Sequence, residues 1–93
     1  MEIKDYRDRI DAIDRQLLQL FNERAAMALE IGHIKQGLKL PIYDPAREKR
    51  IFQRMQQENP GPLEDSAIVR LFERVVDESR RLERLRSRGD EEC

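Results

Sequence analysis

The run IKDYRDRIDAIDRQLLQLFNERAAMALEIGHIKQG, residues 3–37, decides the fold. Apolar residues recur in it at Ile3, Tyr6, Ile10, Ile13, Leu17, Leu20, Met27, Ile31 and Ile34, and once more beyond it at Leu38. Alternating steps of three and four residues mark the apolar stripe of an α-helix, close to the heptad pattern of packed helices. No proline precedes Pro41, and Gly32 is the one weak helix former inside the run before Gly37. The spacing therefore predicts a single helix over about residues 3–37, ending near Gly37. Arg24 breaks the pattern, standing on the stripe where a leucine would be expected.

Outward from that run, GLKLPIY reads as a loop and YDPAREKR as a helix start. Asp44 is suited to the N-cap and Pro45 to the first helical position, where its missing N–H costs nothing. This second helix should run to about Glu58, before NPGP breaks it. A third helix should begin near Leu63, with Ile68, Leu71, Phe72, Val75, Val76, Leu82 and Leu85 on one side. The tail RSRGDEEC reads as frayed and solvated, with residues 89–93 disordered and residues 1–88 forming one domain. No strand and no repeat is expected, so the fold class is all-α: three helices, one very long.

Length gives this reading a consequence. A helix of about 35 residues spans roughly 50 Å, whereas a compact chain of this size has a radius of gyration of about 12 Å. One end of the first helix must then project beyond its own core with the apolar stripe exposed. A two-fold dimer, in which two long helices pack on each other and on the partner's shorter helices, covers that stripe economically.

Composition narrows the function. With 93 residues, 40% of them charged and a net charge of −1, the chain lacks the bulk positive charge of a nucleic-acid-binding domain. A single cysteine, Cys93, allows no internal disulfide and offers no metal cluster. No apolar run approaches a membrane span and MEIKDYRDR is no signal peptide, so a soluble cytoplasmic protein is expected.

The polar residues on inward faces carry the chemistry. From Arg24, helical steps reach Ala28, Ile31 and Lys35 within a narrow angle, so Arg24 and Lys35 point the same way, three turns apart. Two readings of Arg24 are open: a structural ion pair with an acid on another helix, or a ligand site. Arg7 lies roughly 25 Å from Arg24 along one helix, too far to grip the same small ligand, although Arg7 of a second, antiparallel chain could reach it. On the third helix, Ser79 continues the apolar stripe and Glu83 follows one turn later. Arg47 and Glu48 sit just inside the second helix, whose free N–H groups suit an oxygen-rich ligand. Cations are in excess in this set. Missing from it are a nucleophile with an adjacent base, metal-ligand spacing and a Gly-rich phosphate loop, and His33 faces another direction from Lys35. Such a site would hold a compact dianion and stabilise charge by fixed cations.

The stretches YRDRIDAIDRQLLQLFNERAAMALEIGHIK, PIYDPAREKRI and IVRLFERVVDESRRLE, taken together in this order, resemble the all-helical chorismate mutase family over about residues 4–86. The resemblance implies an intertwined, two-fold symmetric helical dimer that converts chorismate to prephenate. By position, Arg24 and the partner subunit's Arg7 would clamp the two substrate carboxylates. Lys35 and Glu83 would reach the ether oxygen of the breaking C–O bond, and Glu48 with the backbone N–H of Asp44 would hold the ring hydroxyl. Arg47 and Ser79 would line the carboxylate side. One residue departs from the bacterial pattern: Glu83 stands where a glutamine is often found. Two other readings stay open, an isochorismate–pyruvate lyase of the same helical family and a non-catalytic helical dimerisation or regulatory domain.

Overall fold

The computed structural model consists of three α-helices. It describes residues 1–92, with side chains over 1–87; the expected disordered tail at 89–93 falls outside the residues whose side chains are described. Helix α1 spans Ile3–Gly37, α2 Pro45–Glu58 and α3 Asp65–Glu92. Among the described residues there is no strand, and no helix is long and apolar enough to cross a membrane.

Local chemistry sets the helix ends. Glu2 caps α1 through a reciprocal arrangement with Asp5, whose carboxylate accepts from the Glu2 backbone N–H at 2.9 Å. At the other end the left-handed residue is Lys39, with φ 59°, rather than Gly37, and the N–H of Leu40 returns to the Lys35 carbonyl at 2.8 Å. Asp44 caps α2 as expected, its side chain accepting from the Arg47 N–H at 3.1 Å, with Pro45 at the first helical position. The third helix starts at Asp65, two residues beyond the expected Leu63. Asn59 holds the intervening turn, donating to the Leu63 carbonyl and to Asp65 at 2.8 Å each, which keeps Leu63 out of the helix.

Helix α3 is the centre of the packing, with α1 and α2 both laid against it. The inward face of α3 is Ile68, Phe72, Val75, Val76, Ser79 and Glu83. Leu71 and Leu85, expected on that face, are each more than half exposed, at 54% and 51%. The helical step explains the difference: both lie well over 90° around the axis from Val76.

The molecule is elongated, 54 × 29 × 14 Å, with a radius of gyration of 16.6 Å. Residues 3–23 of α1 are all exposed, including Ile10, Ile13 and Leu20 at 52–57%. Among the described residues only Gly32, Ile51, Val76 and Ser79 are buried. A single chain therefore leaves most of its periodic apolar surface in water.

Candidate active site

The three helices enclose one end of a half-open cavity of about 410 Å³. From α1, Arg24 and Lys35 line it, together with the flat surface of Ala28 and Ile31. The 0-4-7-11 spacing read from the sequence delivers these four to one wall. Asp44 and, from α2, Arg47 and Glu48 line the opposite side, and Ser79 and Glu83 come from α3. Seven of the eight residues singled out in the sequence thus share one cavity. Arg7 does not: it is exposed on the projecting part of α1.

Arg24 donates to the Ser79 hydroxyl at 3.2 Å. The structural ion pair with Glu83 is not what holds it. Burial lowers its pKa, the cations Arg47 and Arg54 lower it further, and Glu83 raises it. A guanidinium remains charged under such a shift, so the direction reports first the burial of the cation and then its neighbouring cations. Lys35 donates to the carbonyl of Ile42 at 3.2 Å, fastening the end of α1 to the loop before α2.

Glu83 has the opposite problem. Its Oε2 is buried and has no hydrogen-bond partner. Burial raises its pKa, opposed by Lys35, then Arg24, then Arg80, and the net direction is upward. The neutral acid is thereby favoured to higher pH than for an ordinary glutamate.

A glycine makes room for this side chain. A Cβ on Gly32 would come within 3.2 Å of the Glu83 Cγ and 3.4 Å of its Oε2. Gly32→Ala gains about 1 kcal/mol of helix propensity but crowds the carboxyl. It is expected to displace the Glu83 side chain, while the melting temperature changes by only a few degrees. An unmoved Glu83 carboxyl in a crystal structure of that variant would mean that the neighbouring backbone adapts instead.

Arg80 was not anticipated from the sequence. It lines the cavity, pairs with Glu48 at 3.1 Å and with Asp77, and lies over the Tyr43 ring at 4.6 Å. The signal was available: Val76, Arg80 and Glu83 follow one another by steps of four and three. The Ile42 carbonyl had no such signal, because a loop's backbone direction has no periodicity to read.

The cavity lining carries four cations, Arg24, Lys35, Arg47 and Arg80, against the acids Asp44, Glu48 and Glu83. Asp44 is occupied as a cap, Glu48 and Arg80 pair with each other, and Glu83 is biased toward neutrality, which leaves Arg24, Lys35 and Arg47 as the cations in excess. Fold and site together define an all-helical protein with a cleft whose lining cations outnumber its acids.

The chain belongs to the chorismate mutase type II family, whose model matches residues 6–84. It is similar to the bifunctional chorismate mutase/prephenate dehydratase of Aquifex aeolicus, with 38% identity over 79 residues. That match covers 81% of this chain but 22% of the Aquifex protein, so the chain spans about a fifth of that relative's length. Among solved structures, chorismate mutase (form II) from Thermus thermophilus superimposes with a TM-score of 0.87 at 38% identity, covering 88% of this chain and 93% of that one. The chorismate mutase from Helicobacter pylori in complex with prephenate gives a TM-score of 0.82 at 33% identity, covering 88% and 89%.

Proposed function

We propose that this chain, as one domain over residues 1–88, is a chorismate mutase that rearranges chorismate to prephenate, with no cofactor. The observation that carries the reading is the convergence of Arg24, Lys35, Arg47 and Glu83 on one cavity with a surplus of positive charge. The reaction is pericyclic: a C–O bond breaks as a C–C bond forms, with no covalent intermediate and no net proton transfer. A protein can therefore contribute two things, a folded substrate conformer and fixed charge at the ether oxygen.

Each residue has a task in this scheme. Arg24, oriented by Ser79, binds one carboxylate, since the guanidinium fork matches carboxylate geometry. Arg47 and Ser79 line that carboxylate side. Glu48 and the Asp44 N–H hold the ring hydroxyl. Lys35 and Glu83 face the ether oxygen from α1 and α3. Arg7 completes the carboxylate clamp from the partner subunit of a two-fold dimer, which also covers the exposed stripe of α1.

Glu83 must be protonated to donate to an ether oxygen, because an ionised carboxylate only accepts. Its upward pKa shift supports that role. Activity is then expected to fall as pH rises through the Glu83 pKa, and Glu83→Gln, which donates at every pH, should flatten the profile. The same shift acts on stability. The folded state holds this proton more tightly than the unfolded chain. Glu83 therefore favours folding most below the ordinary glutamate pKa, and this contribution is lost as pH rises through the folded value. A Gln variant with an unaltered pH–rate profile would remove Glu83 from the donor role.

The deciding experiment is addition of the purified protein to chorismate and, separately, to isochorismate, following loss of substrate absorbance and identifying the product. Prephenate is expected. Pyruvate with salicylate from isochorismate would instead assign the lyase, and no turnover of either compound would leave a non-catalytic helical module.

A further inference from the structure

Among the described residues, Arg80 is the cation of the cavity that pairs with carboxylates, two of them. One arm of its guanidinium donates to Glu48 Oε2 at 3.1 Å, joining α3 to α2. The other arm donates to Asp77, one turn earlier on α3. Tyr43 supplies an aromatic face 4.6 Å from the guanidinium carbon, which fixes the plane of the fork. The side chains of Arg80 and Glu48 are only 20% and 17% exposed, so the pair is shielded from solvent screening.

The cavity explains why Glu48 needs such a tether. Arg24, Lys35 and Arg47 line the same space. A loose carboxylate there would turn toward one of these cations, cancelling charge meant for a ligand and abandoning its own place. Arg80 gives Glu48 a partner of its own at 3.1 Å. It also braces Tyr43, the neighbour of Ile42, whose carbonyl receives Lys35.

We infer that Arg80 is a positioning residue: it acts through Glu48, holding that carboxylate where it meets the substrate's ring hydroxyl and away from the ligand-binding cations. The inference rests on the mutase reading. A ring hydroxyl takes no part in bond making or breaking, so contacts to it are equal in ground and transition states and appear in KM.

The test is a double-mutant cycle on the full chain, reading kcat and KM for chorismate, with helical circular dichroism and thermal melting on every variant. Arg80→Gln is expected to raise KM about tenfold with kcat changed less than about threefold. Arg80→Lys, which keeps the charge but loses the fork and the stack, should fall between. In a Glu48→Gln background, Arg80→Gln should add less than about twofold. A tenfold loss that persists in that background, or a loss that follows melting temperature instead of the cycle, overturns the assignment. If Arg80→Gln does not fold, Arg80→Lys carries the same cycle. No turnover by the unaltered protein overturns the mutase reading and this inference with it. Turnover with additive losses overturns this inference alone.

Discussion

Lys35→Ala is expected to lower kcat on chorismate by about 10²–10³-fold, with a smaller change in KM. Lys35 occupies the last turn of α1, half-buried, and lines the cavity. In the proposed reaction the ether oxygen gains negative charge as the C–O bond opens. A fixed ammonium beside it is worth more in the transition state than in the ground state, and only such differential contacts raise kcat. Alanine removes the charge and also frees the Ile42 carbonyl from its 3.2 Å contact, loosening the loop before α2. Melting curves separate the two effects, since a loosened loop lowers stability modestly while the missing charge lowers turnover steeply. A kcat within about threefold of the unaltered protein would exclude Lys35 from the reacting centre.

The second large effect is a recovery. Arg7→Ala and Arg24→Ala chains are each expected to be nearly inactive alone, because in the proposed two-fold dimer each would lack one half of the carboxylate clamp in both sites. Mixed and reassembled in equal amounts, they should regain about a quarter of the unaltered activity. Random pairing makes about half the dimers mixed, and each mixed dimer has one intact site of two. In the proposed arrangement the intact site would unite Arg24 from one chain with Arg7 from the other. The geometry behind this is the exposed position of Arg7 on the projecting part of α1, away from the cavity that Arg24 lines. No recovery, with mixed dimers demonstrated by mass, would count against a shared site.

Much of the site was legible because helices are periodic. The step of eleven from Arg24 to Lys35, and the step of four from Ser79 to Glu83, fix shared faces before any tertiary contact is known. The cap at Asp44 was legible for the same local reason. Arg80 lies on the right face by spacing, but spacing alone does not distinguish it from a solvated arginine. Its meaning lies in Glu48 and Tyr43, thirty-two and thirty-seven residues away.

The sequence by itself determined the helices and which side chains share each face. These depend on backbone hydrogen bonds and on a 3.6-residue period, both local. Tertiary structure alone decided the state of those side chains. It left Glu83 Oε2 buried without a partner, brought Gly32 against it, and gave Arg24 a hydroxyl instead of a carboxylate. Burial and partnership depend on which helices meet and how closely, and no periodicity within one helix encodes that distance.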